Sequence, residues 1–297
     1  MNPVNTKPYI TGCSSGIGRA LAELIANKPS HHLIATARKV PDLSYLPDDN
    51  PNILKVALDV TSVDSVKNAF TAAKEHFGDN WHLDVVVNNA GYSLSGDTEG
   101  ATEEESHLEI ETLFFGTARV TMKAVEVMRQ DKVGEEWRGG VVFNVSSLAG
   151  LVGLAGHAYY HAGKHAVEGW TESVAREMSP DWNINFCIIE PSGVRTNFEG
   201  HSKAAITPHP AYADPSMPAR KLESYVKMGM KAGAAAGMME PKQVAETIYK
   251  IAARGEKVPL RLPLGKVAWM MGKGKFEGLL REWEEVKEIS FMGKEGS

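Results

Sequence analysis

Several protein classes are excluded by what this sequence lacks. Of its 297 residues only Cys13 and Cys187 are cysteines. Two thiols can pair, but they make no disulfide framework and suit a reducing compartment. No uninterrupted apolar run reaches the ~18 residues of a membrane-crossing helix. The opening stretch, "MNPVNTKPYI", has no signal-peptide core. These absences lead us to expect a cytoplasmic protein without a transmembrane segment. No long basic run occurs and the net charge is -5, so no nucleic-acid partner is expected. Repeats are absent, and no change of composition marks a second domain, so residues 1–297 read as one domain.

What is present is an alternation of strand-like and helix-like runs. "PYITG", "HHLIATAR", "NILKVALDV", "LDVVVNNAG", "GGVVFNVSS" and "INFCIIEP" are apolar on both faces, as strands of a covered parallel sheet are. Helical patterns fall between them, at "GRALAELIANK", "SVDSVKNAFTAAKEHFG", residues 103–129 and residues 157–178. The alternation predicts right-handed βαβ units in a doubly wound α/β fold. Beyond Pro191 the pattern breaks. "HSKAAITPHPAYADPSMPARKL" reads as a loop, and residues 228–239 as a Met/Ala/Gly-rich segment. A helix is expected near Pro241, a short strand at "VPLRLPL", and an amphipathic helix over 266–290.

"TGCSSGIG" joins the first strand to the first helix. Gly12 permits a tight turn, Gly16 a close approach of pyrophosphate to the backbone, and Gly18 close helix–sheet packing. The helix N-terminus supplies free N–H groups for phosphates. Gly12, Ser14, Ser15, Gly16, Ile17 and Gly18 are therefore candidate dinucleotide contacts. A NAD site wants an acid at the end of the second strand. Ala37 stands there instead, followed by Arg38 and Lys39. Arg38 offers a planar fork to a 2′-phosphate, so NADP(H) is expected over NAD(H).

"TGCSSGIG", "LDV" at 58–60, "NNAG" at 88–91, "NVSS" at 144–147 and "YHAGK" at 160–164 resemble, in order and spacing, the short-chain dehydrogenase/reductase family. The likeness spans roughly residues 7–198. It looks closest to NADP-preferring members that reduce ketones on hydrophobic molecules, such as 17β-hydroxysteroid dehydrogenase-like and fungal secondary-metabolism reductases. The resemblance implies a Rossmann-type sheet of seven parallel strands. It implies that Asp59 and Val60 lie near adenine, and that "NNAG" (Asn88, Asn89, Ala90, Gly91) lines the cofactor cleft. It also implies that Pro191, Gly193, Val194 and Thr196 flank the nicotinamide and phosphates, and that the chain is a homodimer or homotetramer through its two long helices.

Tyr160 and Lys164 are spaced i, i+4, so on a helix they share one face. Tyr159 points about 100° away. A nearby ammonium stabilises a phenolate, which makes Tyr160 the candidate proton donor to a carbonyl oxygen. The resemblance adds that Lys164 holds the nicotinamide ribose. It also picks Ser147, thirteen residues before Tyr160, as the hydroxyl that binds the substrate oxygen, leaving Ser146 a structural role. The expected function is an NADPH-dependent carbonyl reductase, or alcohol dehydrogenase, for a bulky apolar small molecule.

Two departures qualify this. The family usually carries asparagine three residues before the glycine of "LFFG", where it holds a water in a proton relay to the lysine. Here Leu113 occupies that place. Three readings follow: the backbone carbonyl holds the water alone, Glu111 or another polar group substitutes, or the protein has left redox chemistry. The last makes it an isomerase or cyclase, or a nucleotide-binding sensor. The second departure is Ser192 where glycine often follows the proline, which puts the local backbone in question. His157, His161 and His165 share a helical face, but no HExxH glutamate or cysteine cluster completes a metal site, and none is expected. The segment 198–240, with Met217, Met228, Met230, Met238 and Met239, is expected to be a mobile, apolar cover for the substrate.

Overall fold

The computed structural model describes residues 6–78, 81–130, 132–133, 136–196, 203–232, 237–254 and 257–291. Seven strands form the central sheet: β1 (Pro8–Ile10), β2 (Leu33–Ala37), β3 (Ile53–Ala57), β4 (Val85–Asn88), β5 (Gly140–Val145), β6 (Ile184–Pro191) and β7 (Arg261–Leu264). Every pairing is parallel, and the order is β7-β6-β5-β4-β1-β2-β3. The order reverses between β1 and β4. In such a sheet the crevice beyond the strand ends at that reversal is where a ligand can enter.

Both faces of the sheet are covered, so alternate residues of each strand enter different cores. From β1, Ile10 joins Leu21 and Ile25 of α1 (Gly16–Ala26) and Ile248 of α7 (Pro241–Ala253). Its neighbour Tyr9 joins the opposite core, stacked on Phe70 of α2 (Val63–Phe77) with centroids 4.6 Å apart. Each fully buried Leu, Ile or Phe here contributes roughly 1.5–3 kcal/mol, and this two-sided burial is why the strands read as unbroken apolar runs.

Three further helices carry the site. The expected helix over 103–129 is α3 (Glu103–Ile110) followed by α4 (Gly116–Gln130), with a π-helical turn over Glu111–Phe115 between them. Its mark is the Gly116 N–H donating to the Glu111 carbonyl. Single π turns often sit at functional positions. Helix α5 (Ala158–Glu177) packs against α3 and the π turn.

Beyond β6 the expected loop over 201–222 needs correction. Lys203–Ala205 pairs with Ser93–Ser95 as a small parallel sheet, and Pro218–Ala232 forms α6. Buried Asp97 anchors this segment by pairing with Arg220 and accepting the His209 N–H at 3.1 Å. Of the expected mobile cover, residues 198–202 and 233–236 lie outside the described residues. Helix α8 (Lys266–Glu285) leaves Trp269, Phe276, Leu280 and Trp283 exposed. No described helix is long and apolar enough to cross a membrane. Cys13 and Cys187 are both buried and unpaired.

Candidate active site

The glycine turn leaves β1 with Gly12 at φ 71°, a region where only glycine is unstrained. A Cβ on Gly18 would lie 2.5 Å from Asn89 Nδ2 and closer still to the Gly12 carbonyl. Asn89 belongs to that contact. Its Nδ2 donates to the Thr11 and Gly12 carbonyls, both at 3.1 Å. Thr11 answers by accepting the Asn89 and Ala90 N–H groups on its hydroxyl, each at 2.9 Å. Two segments far apart in sequence, "TGCSSGIG" and "NNAG", are thus one bonded unit.

Ser15 caps α1 from an extended conformation and makes no side-chain cap bond, so N–H groups of the first turn remain available to an anion. Ser14 is half-buried, and Ile17 packs on the core. Thr196 faces Gly16; a Cβ there would meet its methyl at 3.3 Å. The cradle therefore fits a dinucleotide's phosphates, with bare backbone where a side chain would intrude. Arg38, the residue after β2, is exposed and pairs with no described carboxylate. Asp59 is exposed and accepts from the Thr61 N–H and hydroxyl. Val60 is instead buried against Gly116.

Asn88 turns inward rather than toward the cleft. Its Nδ2 donates to Thr121 Oγ1 and to Asn144 Oδ1, both at 2.8 Å, and Asn144 Nδ2 donates to Thr171 Oγ1 at 2.8 Å. The asparagines opening "NNAG" and "NVSS" thus tie β4 and β5 to α4 and α5.

On α5, Lys164 is buried and donates to the Val145 carbonyl at 2.8 Å; its Nζ stands 5.7 Å from the Tyr160 ring centre. Burial lowers the Lys164 pKa to about 8, against the pull of Glu109 and Glu168. Ser147 follows β5, and its hydroxyl accepts the Ala149 N–H at 3.1 Å. Tyr160, Lys164 and Ser147 thus gather at the C-terminal end of β5. Pro191 ends β6, and the Ser192 N–H donates to the Leu264 carbonyl at 3.0 Å. Gly193 and Val194 are held by Met239, whose N–H donates to the Gly193 carbonyl at 2.9 Å and which bridges Val194. Ser192 is therefore accommodated within a pinned backbone.

The histidine stripe is spent on backbone bonds. His161 bonds the Ala149 carbonyl and the Leu154 N–H, while His165 bonds the His161 carbonyl. No group of three metal-capable side chains occurs among the described residues.

Leu113 sits in the π turn, buried between Gly91 and Gly163; Cβ atoms there would meet its methyls at 2.8 and 3.0 Å. Its carbonyl already accepts the Thr117 hydroxyl at 2.7 Å. Glu111 pairs with Arg119. Two buried acids, Glu109 and Glu168, act on Lys164. Glu109, one helical turn before Leu113, has no exposure, and burial raises its pKa to about 7. Glu168 and Glu190 share Arg261, at 3.2 and 3.7 Å, and Arg261 also donates to Glu172 at 2.8 Å. Burial and the neighbouring Glu168 push the Glu190 pKa well above the usual carboxylate range.

The family described as short chain dehydrogenase matches residues 8–206. The chain belongs to the short-chain dehydrogenase family. The oxidoreductase calM of Penicillium decumbens is 59% identical, with 98% of this chain and 96% of that protein aligned. A 3-ketodihydrosphingosine reductase of Bacteroides thetaiotaomicron is 29% identical over 88% of each. The crystal structure of a short-chain dehydrogenase from Streptomyces avermitilis superposes with a TM-score of 0.81 at 31% identity, covering 98% of this chain and 100% of that one. The short-chain dehydrogenase chain described here is thus an oxidoreductase of a family that uses NAD or NADP and acts on small molecules.

Proposed function

We propose that this protein is an NADPH-dependent carbonyl reductase for a bulky, apolar small molecule, with Tyr160 as proton donor, Lys164 as its activating cation and Ser147 as the hydroxyl that holds the substrate oxygen. The observation that carries this reading is the buried Lys164 Nζ, fixed on the Val145 carbonyl and one helical turn from Tyr160. A fixed ammonium beside a phenol stabilises the phenolate formed as the proton leaves. Ser147 would donate to the oxygen on which negative charge develops. When bound, the nicotinamide supplies the hydride. Gly12, Ser14, Ser15, Gly16, Ile17 and Gly18 would hold its phosphates, with Asn89, Ala90, Gly91, Pro191, Gly193, Val194 and Thr196 along the cleft. The oxidoreductase names of its relatives favour this reading over an isomerase, a cyclase or a sensor.

The apolar substrate class is supported by α6, whose Ala219 packs at Gly156 before α5 while Tyr225 and Met228 stay exposed. The relative named for 3-ketodihydrosphingosine also supports reduction of a ketone on an apolar molecule. A homodimer or homotetramer through α4 and α5 completes the proposal, with Phe115 and Met122 exposed near that surface. A screen of ketones and aldehydes that follows NADPH absorbance tests the function. Saturable consumption with matching alcohol supports it, and binding of NADPH with no turnover across the screen overturns it.

Preference for NADPH is assigned to Arg38. A hydrogen bond to a charged group is worth roughly 1.5–3 kcal/mol. Arg38→Ala is therefore expected to weaken NADPH binding about ten- to a hundredfold and to leave NADH binding unchanged. Fluorescence titration with both nucleotides checks this; equal losses for the two would remove Arg38 from the 2′-phosphate site.

A further inference from the structure

Glu109 is an anomaly in the fold. A carboxylic acid with no exposure normally spends both oxygens on hydrogen bonds or a cation. Neither carboxyl oxygen of Glu109 closes a well-formed hydrogen bond. The groups that act on it are the Leu94 backbone, the Tyr92 hydroxyl and the Lys164 ammonium. Tyr92 in turn feels Glu105, one turn before Glu109 on α3.

Lys164 shows the matching anomaly. It is a buried cation that donates to a neutral carbonyl, Val145. Two carboxyls act on it, Glu109 across the helix interface and Glu168 on its own helix. Glu168 is already paired with Arg261, which leaves Glu109 as the acid without another cation. Placement agrees. Glu109 and Leu113 are i, i+4 on one face, and Leu113 abuts Gly163, the neighbour of Lys164.

We propose that Glu109 is a positioning residue of the reductase centre: its carboxylate keeps Lys164 an ammonium ion, and its carboxylic acid restores the proton that Lys164 gives up after each turnover. This rests on the reductase reading above. The protons balance. Tyr160 loses its O–H proton to the substrate oxygen and becomes phenolate. A Lys164 N–H bond then breaks as the phenol O–H re-forms. The Glu109 O–H bond breaks as the lysine N–H is restored by way of an intervening water, and the resulting carboxylate is reprotonated from solvent past Tyr92 and Glu105, both half-buried. Leu113, with no polar atom, takes no part beyond shaping the pocket.

Glu109→Gln keeps the shape and removes the charge and the proton. The expected result is a fall in kcat of at least tenfold, with ketone KM and NADPH affinity changed less than twofold. The loss of activity with rising pH, set by Lys164 near 8, should move to lower pH because the buried ammonium has lost its counter-charge. Unchanged kcat and an unchanged pH profile would overturn the proposal. Infrared titration of the unliganded protein reads the pair without turnover, and so separates this proposal from the reductase reading. In the native-minus-Glu109→Gln difference, which cancels the other buried acids, a carboxylic-acid band with a midpoint near pH 7 should remain, and it should move to higher pH in the Lys164→Met background. A band that ignores Lys164→Met would overturn the pairing even in a fully active enzyme. Since folding raises the Glu109 pKa, its stabilising contribution is complete below about 4.5 and is lost as pH rises through about 7. Glu109→Gln should accordingly gain thermal stability over native protein across that interval.

Discussion

Tyr160→Phe is expected to lower carbonyl turnover by a factor on the order of 10² to 10⁴, the range that one positioned acid contributes. NADPH affinity should stay within about twofold of native. The substitution removes one hydroxyl and keeps the ring, which rests edge-on against His161 with centroids 6.2 Å apart. Lys164 holds its place through the Val145 carbonyl, independently of that hydroxyl. Folding and the dinucleotide cradle therefore have no reason to change. Tyr159→Phe is the control: it removes the same atom from the adjacent residue, on a face about 100° away, and should leave turnover near native. Stopped-flow or steady-state NADPH consumption with both variants decides between the two tyrosines. Activity retained in Tyr160→Phe, or lost in Tyr159→Phe, would refute the assignment.

The sheet was legible because each strand is buried on both faces. "VVVN" and "GVVFNV" carry no polar face, and only a covered parallel sheet asks for that. The helix bearing Tyr160 was legible from i, i+4 spacing. Helix α6 was not. Its sequence opens in a Pro/Ala/Ser-rich stretch, and the signal was Pro218 itself, which suits a first helical turn as well as it suits a loop. The π turn leaves no local mark either; it follows from packing Leu113 against Gly91 and Gly163. Glu109 lies in "EEESHLEIE", whose acidic composition carries no cue to burial. Its burial comes from contacts with α5 and the strand at Ser93–Ser95, and no sequence window of α3 contains them. The first asparagine of "NNAG" was likewise assigned to the cleft by its motif, whereas its bonds lie with Thr121 and Asn144, one strand and one helix away.

The misreading of Asn88 has a general cause. A motif reports which residues cooperate, while the direction of each side chain is set by the alternation of the strand that ends beneath it. Asn88 and Asn89 are neighbours in the motif and point to opposite purposes, one tying strands to helices and one bracing the glycine turn. The site depends on both, so its rigidity comes from side chains that need never touch a substrate.

Gly18→Ala shows how little slack that bracing leaves. The added methyl would sit 2.5 Å from Asn89 Nδ2, well inside van der Waals contact. Asn89 cannot withdraw without breaking its two bonds to the Thr11 and Gly12 carbonyls. Relief must come from moving the start of α1 away from the turn. Overpacking of this kind costs about 1–3 kcal/mol, which lowers Tm by roughly 2–10 °C in a chain of this size. The same movement pulls the α1 N–H groups away from the phosphates, so NADPH affinity is expected to fall about a hundredfold or more, as displacement of several charge-assisted hydrogen bonds implies. Gly169→Ala supplies the contrast. Gly169 lies within α5, is exposed, and a Cβ there meets nothing within 4 Å. That alanine should stabilise the protein by about 0.5–1 kcal/mol, the ordinary helical difference between the two residues, and leave NADPH binding unchanged. Thermal melts and nucleotide titrations on the pair check the prediction. Native affinity in Gly18→Ala would show that the turn and α1 are not held together as the Asn89 bonds require.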